Sequence, residues 1–110
     1  MTTNKQPASR PHNAAVVELL KADPDFANEY LAAALEEADE PGGQTALLAA
    51  LRHVAEAQGM AAVAERAGIP RESLYRALGP KGNPTVKTLL AVLSAAGLHL
   101  AVTRQDSAHA

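Results

Sequence analysis

The stretch MAAVAERAGIPRESLYRAL, residues 60–78, decides the fold. It holds two short helical patterns separated by Gly68 and Pro70. Glycine readily adopts the left-handed conformation that ends a helix, and proline suits the first turn of the next one. Ala64, four residues before the glycine, is small enough to let the two helices approach closely. We therefore predict helices over 60–67 and 70–78, joined by a tight turn.

The two helices need apolar residues that hold them to each other and to the rest of the domain, and five positions fit: Val63, Ala67, Ile69, Leu74 and Leu78. The outer face of the second helix then carries Arg71, Glu72, Ser73, Tyr75 and Arg76. An arginine near the start of such a helix reaches guanine edges in the major groove of DNA. The pattern predicts a helix-turn-helix. The alternative is a plain helical hairpin. Two separate alternatives concern single residues: Arg71 and Glu72 are only solvated charges at a helix start, and Tyr75 packs inward.

Composition agrees with a helical domain. The chain has 110 residues, 25 of them alanine and 14 leucine, and Ala and Leu rank highest in helix propensity. This length fits one domain, and the absence of cysteine excludes disulfides and cysteine–zinc sites. No run approaches the roughly 20 apolar residues of a membrane span, and no signal-peptide pattern opens the chain. We expect an all-α, soluble, cytoplasmic protein.

Helix start and stop signals divide the rest of the chain. Asn13, Asp23-Pro24, Thr45 and Asn83-Pro84 are start signals, and Pro41-Gly42-Gly43, Gly59 and Gly97 are breaks. They predict helices over 13–22, 24–38, 46–58 and 84–96. The resulting organisation is a disordered tail (1–12), N-terminal helices (13–40), a helix-turn-helix domain (45–97), a C-terminal strand (98–104) and a second tail (105–110).

The strand prediction rests on residues 98–103, LHLAVT, which alternate with a period of two. A lone strand cannot satisfy its backbone groups, so its copy on a second subunit is the obvious partner, in a two-fold antiparallel ribbon. The thin core also favours a homodimer, because only 27 of the 52 hydrophobic residues are larger than alanine. The alternative is that 98–103 is an extended tail on the helices.

Charge is distributed unevenly. Residues 1–58 hold 4 Lys/Arg and 9 Asp/Glu, a net charge of −5, whereas residues 59–110 hold 6 and 3, a net charge of +3. An acidic front half and a basic back half indicate two surfaces with different partners.

Nothing in the sequence indicates catalysis. The four histidines, at 12, 53, 99 and 109, have no second ligand at metal-binding spacing. There is no phosphate-binding loop and no nucleophile elbow. We expect no enzyme activity, no metal and no cofactor, and we expect His53 to be a surface or hydrogen-bonded residue of its helix.

Three motifs carry a family resemblance: RESLYRAL at 71–78, GPKGNPT at 79–85 and TLLAVL at 88–93. The arrangement resembles the Cro/C1-type (Xre-like) helix-turn-helix family. More closely, it looks like the addiction-module antidote proteins, the antitoxins paired with RelE/ParE-like toxins, as do residues 28–37 and 54–60. The sequence departs from that pattern at Pro41–Gln44, a longer linker, and at Pro70, where relatives usually carry a serine cap.

The resemblance implies an antitoxin that binds a toxin and operator DNA as a homodimer and represses its own operon. Arg71 matches the principal base reader, with Glu72 and Tyr75 reading bases or orienting it. Arg76 and Lys81 are implied phosphate contacts, and Asn83 opens a helix whose N-terminus can hold a phosphate. The implied DNA-binding set is Arg71, Glu72, Ser73, Tyr75, Arg76, Lys81 and Asn83.

Two other functions stay open at this point. The first is a transcription regulator of the same fold with no toxin partner, since its DNA chemistry is identical. The second is a protein-interaction module in which the acidic segment 24–58 binds a basic partner and the helix-turn-helix is only a scaffold.

Overall fold

Six α-helices follow one another in the computed structural model, which describes the backbone of residues 9–104 and the side chains of residues 13–104. They are α1 (Ser9–Ala22), α2 (Phe26–Glu36), α3 (Gly43–Gln58), α4 (Met60–Ala67), α5 (Arg71–Ala77) and α6 (Val86–Ala95). No strand occurs within 9–104, and this confirms the all-helical prediction. None of these helices is long and apolar enough to cross a membrane.

Helix α3 lies at the centre of the packing. It contacts α1, α2 and α4, and α4 in turn contacts α5 and α6. The largest fully buried side chains come from α3 to α6 and the residue that follows α5: Leu51, Val54, Val63, Leu74, Leu78 and Val92. Several alanines, among them Ala50, Ala55 and Ala64, are buried with them, so small side chains fill part of the core between the leucines and valines.

Two early helices begin at other residues than predicted. Helix α1 begins at Ser9, so residues 9–12 are helical and not part of a disordered tail. The rest of that predicted tail, residues 1–8, and the predicted tail 105–110 lie outside the described residues. Helix α2 begins at Phe26, because Asp23-Pro24 form a turn first: Asp23 O accepts from Phe26 N at 3.0 Å.

Helices α3 and α6 also begin at other residues than predicted. Helix α3 begins at Gly43, after Gly42 in the left-handed conformation, and so includes Thr45. Helix α6 begins at Val86, and Thr85 is its N-cap, with Oγ1 accepting a hydrogen bond from Thr88 N at 3.0 Å. Asn83 therefore does not open α6. The physical reason is that Thr85 supplies the side-chain cap for the free N–H of Thr88, so the first turn of the helix forms after Thr85 and not after Asn83.

The predicted strand at the C-terminus is wrong. Gly97 takes a left-handed conformation after α6, and Leu98 N donates to Leu93 O at 2.8 Å. Residues 98–104 then continue without regular structure. The reason is that residues 9–104 contain no strand with which their backbone could pair. The predicted pairing of this segment across a dimer therefore has no support from the described part of the chain.

Candidate nucleic-acid interface

The turn between α4 and α5 forms as the sequence predicts. Gly68 has φ 76° and ψ 27°, the left-handed conformation, and its N–H points to the carbonyl oxygens of Ala64 and Glu65. Ile69 N donates to Ala64 O at 3.1 Å. This pair of bonds closes the C-terminus of α4 as in a Schellman motif, and it sends the chain directly into α5. A side chain at residue 68 would strain this turn.

The inner side of α5 is anchored in the core. Leu74 is 0% exposed and Leu78, the residue after the helix, is 1% exposed. Val63 of α4 is fully buried in the same core cluster, and Ala67 and Ile69 pack against it half-buried. All five residues predicted to pin the two helices therefore do so, and they fix which side of α5 faces outward.

The outer side of α5 presents most of the predicted DNA-binding residues together. Arg71, Glu72, Tyr75 and Arg76 are exposed, at helical positions i, i+1, i+4 and i+5, which share one face. Ser73 is half-buried and lies at the edge of this face. Tyr75 is 40% exposed, which rules out the alternative in which its ring packs inward.

Arg71 and Tyr75 are in contact with each other. The guanidinium carbon of Arg71 lies 5.7 Å from the centre of the Tyr75 ring, within the range of a cation–π interaction. Such a contact restricts the rotamers of a long, exposed arginine side chain. Tyr75 is therefore placed to orient Arg71, one of the two roles that the sequence left open for it.

The loop after α5 folds back on the end of the helix. Gly79 N donates to Arg76 O at 3.2 Å, and Gly82 N donates to Gly79 O at 2.9 Å. A Cβ atom on Gly82 would overlap the carbonyl oxygen of Ala77, so only glycine allows this close approach. The loop leaves the side chains of Lys81 and Asn83 exposed.

This surface is positively charged. Arg71, Arg76 and Lys81 carry three positive charges against the single negative charge of Glu72. The ion pairs found among side chains 13–104 lie elsewhere, between Lys21 and Glu18 and between Arg52 and Glu56. The charges on and beside α5 are thus not neutralised by neighbours within that range, and they are available to an anionic partner.

One contact to this region was missed by sequence reasoning. Arg52 of α3 donates a hydrogen bond from Nη1 to the carbonyl oxygen of Leu78, the C-cap of α5, at 2.9 Å. The two residues are 26 positions apart, and no local pattern marks Arg52 as different from other arginines on a helix. Only the three-dimensional structure, which brings the Arg52 side chain to the end of α5, shows it.

His53 belongs to the core. It is 4% exposed, and its Nδ1 lies 2.7 Å from the Tyr30 hydroxyl oxygen, so it is the hydrogen-bonded helix residue that the sequence allowed. Burial raises the pKa of the Tyr30 hydroxyl, and the charge of Arg52 lowers that pKa to a lesser extent. Side chains 13–104 contain no group of three or more His, Cys, Asp or Glu residues that could hold a metal ion.

Comparison with known protein families gives a match over nearly all of the described residues. The sequence profile of the family described as "probable addiction module antidote protein" matches residues 12–104. The chain belongs to this family. Membership confirms the resemblance to the antidote proteins, whereas the Cro/C1 type of the α4–α5 pair stays a prediction.

One curated relative of this chain comes from Haemophilus influenzae and is described as an uncharacterized protein. It is 45% identical over 56 residues, which are 51% of this chain. The match spans 58% of that relative's own length. No solved structure matches the chain.

Proposed function

We propose that this antidote protein is the antitoxin of a type II toxin–antitoxin module. It binds its toxin, binds operator DNA as a homodimer and represses its own operon, in the cytoplasm and without enzyme activity. Membership of the antidote family supports the antitoxin role. The observation that carries the DNA-binding part is the outer face of α5, where Arg71 is held against Tyr75 and the buried Leu74 fixes the orientation of the helix.

DNA binding follows from that face if α4 and α5 act as a helix-turn-helix. Helix α5 enters the major groove, and Arg71 in its first turn offers two parallel N–H donors to the O6 and N7 atoms of a guanine. Arg76 and Lys81 contact phosphates on either side of the groove. Glu72, on the same face, repels phosphate and favours a register in which a base edge lies opposite it.

The homodimer is supported by exposed apolar residues beside the interface. Val86 is 71% exposed and Leu90 is 45% exposed, one turn apart on α6, the helix that follows the α5 loop. A second copy seated there buries the same apolar residues on both subunits. The two α5 helices then reach successive major grooves, about 34 Å apart.

Operator binding is tested with the DNA upstream of the gene and a scrambled duplex of the same length. We expect preferential binding of the upstream DNA, with two chains per site. The logarithm of the binding constant should fall by about 0.9 per log unit of salt for each phosphate contacted. Equal affinity for both duplexes would contradict the proposal, and one chain per site would contradict the homodimer.

Toxin binding is tested by co-expression with a small basic protein encoded by the neighbouring gene. The exposed carboxylates at the end of α2 and after it, Glu36, Glu37, Asp39 and Glu40, suit a basic RelE/ParE-like partner. We expect the two proteins to co-purify and the double substitution E36K/E37K to weaken the complex. The matched control is E65K, which reverses an exposed charge on α4.

The outcomes of this experiment locate the toxin contact and distinguish an antitoxin from a stand-alone regulator. Lysine near a helix C-terminus is compatible with the helix dipole, so E36K/E37K is not expected to unfold α2. If the double variant binds the toxin as tightly as the wild type, the toxin contact lies elsewhere. If operator DNA is bound but no toxin co-purifies, the stand-alone regulator is the correct function.

A further inference from the structure

We infer that Arg52 is a positioning residue for operator recognition. Its side chain holds the C-terminal end of α5, the helix proposed to read DNA, against the rest of the domain. This inference rests on the proposed DNA-binding function and extends it to a residue outside α5 and its loop. Arg52 lies on α3, the central helix, and reaches α5 through the hydrogen bond from Nη1 to Leu78 O.

The contact falls at the point where α5 most needs one. Helix α5 has seven residues, and the last carbonyl groups of any helix lack partners within the helix. Leu78 is 1% exposed, so its carbonyl oxygen has little access to water. Arg52 supplies a donor to this oxygen and a positive charge at the negative end of the helix dipole.

Arg52 also has an acidic neighbour on its own helix. Its Nε lies 3.9 Å from a carboxylate oxygen of Glu56, one turn further along α3, and its side chain is 23% exposed. At that distance the pair is a charge contact and not a hydrogen bond, so the Nη1–Leu78 bond is the directional contact of the guanidinium group. Helix α3 thereby fixes the C-terminal end of α5, while Gly68 and the contact with α4 fix its beginning.

The attachment of α5 at both of its ends affects sequence specificity more than it affects the affinity for DNA of any sequence. Base reading requires that Arg71 be placed within a fraction of an ångström, whereas phosphate contacts tolerate small shifts of a flexible side chain. Leu74 and Leu78 hold the inner side of α5 in the core, but apolar packing is non-directional and permits small shifts that the Arg52 hydrogen bond restricts. Loss of the Arg52 bond is therefore expected to reduce binding to the operator more than binding to a scrambled duplex.

The variant that tests this is R52M, which keeps an unbranched side chain and removes both donor and charge. We expect operator affinity to fall about tenfold, the scale of a lost charge-assisted hydrogen bond. Affinity for the scrambled duplex should change much less, and the salt slope should stay as in the wild type. R52K, which keeps the charge and one donor, should recover part of the loss.

Arg66 offers a matched control, because its Nε donates at 2.8 Å to the carbonyl oxygen of Ala95 on α6. R66M removes an arginine-to-carbonyl bond that does not reach α5, together with the bond from Nη2 to Gln58 Oε1 at 3.1 Å. Urea unfolding of both variants gives their loss of stability, and binding is compared at a temperature where both are folded. We expect R66M to keep the wild-type ratio of operator to scrambled affinity.

The results distinguish a failure of the proposed function from a failure of the inference about Arg52. If the wild type shows no operator preference, the proposed function fails. If the wild type shows it and R52M keeps the same ratio, the inference about Arg52 is wrong. It is also wrong if R66M lowers the ratio equally, which indicates general destabilisation, or if the salt slope of R52M falls by about 0.9, which indicates a lost phosphate contact. If R52M does not fold, R52Q is measured in its place, because glutamine lacks the charge and is too short to keep the bond to Leu78 O, and a wild-type ratio in R52Q overturns the inference.

Discussion

Replacing Leu74 with alanine is expected to lower the free energy of unfolding by about 2–5 kcal/mol. Leu74 is 0% exposed and belongs to the same core cluster as Val63 and Val92, which are also 0% exposed. The substitution removes buried methyl groups and leaves a cavity that its neighbours fill only in part. The effect should be large for this protein because the core contains few large side chains. Urea unfolding followed by circular dichroism measures it.

The control is Leu19→Ala, the same change on α1, where the leucine is 48% exposed. We expect Leu19→Ala to change the free energy of unfolding by no more than about 0.5 kcal/mol. Equal effects of the two substitutions would show that Leu74 is not buried as the structure has it. The packing of α5, on which the orientation of Arg71 depends, would then be wrong as well.

The α4–α5 pair could be predicted closely because its signals are local. Gly68 fixes a left-handed conformation within one residue, and Pro70 restricts its own φ and the residue before it. The alternation of outward Arg71 and Tyr75 with inward Leu74 and Leu78 then follows from helix geometry alone. No long-range contact is needed to choose between alternatives in this segment.

Helices α2 and α6 begin later than the signals at Asp23 and Asn83 predict. The reason is that two residues suited to the N-cap lie close together in each case. Asp25 follows Asp23, and Thr85 follows Asn83, so the sequence offers two starting points within three residues. The choice depends on the path of the chain entering the helix. That path is set by tertiary packing, which propensity does not contain.

Apolar residues alternate with polar or small ones in residues 98–103, although this segment is not a strand. Leu98 and Leu100 line a shallow cavity of about 190 Å³ together with Leu31 and Leu35 of α2 and Leu93 of α6. His99 and Ala101 line the same cavity, so four consecutive residues lie beside the helices and not every second one. Leu98 and Leu100 find apolar neighbours on α2 and α6 without a neighbouring strand, so a period of two over six residues is not sufficient evidence of a strand.

The partners across helices could not be predicted from the sequence. The Arg52–Leu78 and Tyr30–His53 contacts join residues 26 and 23 positions apart. Such pairs depend on the angle between helices, which follows from the packing of small side chains such as Ala50 and Ala55 on α3. A pattern of alanines indicates that helices can approach closely, but it does not determine how they are rotated relative to one another.

Replacing Arg71 with alanine is expected to weaken operator binding by about 1–3 kcal/mol and to relax the preference at one base pair. The physical reason is the loss of two parallel hydrogen bonds to a guanine edge. Arg71→Lys separates this role from simple charge, because lysine keeps the positive charge and lacks the planar pair of donors. We expect Arg71→Lys to lose nearly as much preference as Arg71→Ala. Binding to duplexes mutated at single base pairs measures both effects.

The matched control is Lys81→Ala, which removes one positive charge from the loop beside α5. Since Lys81 is proposed to contact a phosphate, its loss should weaken operator and scrambled DNA alike and lower the salt slope by about 0.9. Arg71→Ala should instead leave the slope nearly unchanged, because a base contact releases no counterion from the backbone. If Arg71→Lys restores wild-type affinity and Arg71→Ala lowers the salt slope as Lys81→Ala does, then Arg71 contacts a phosphate. In that case the contact of its guanidinium with the Tyr75 ring orients a charge and not a base-reading group.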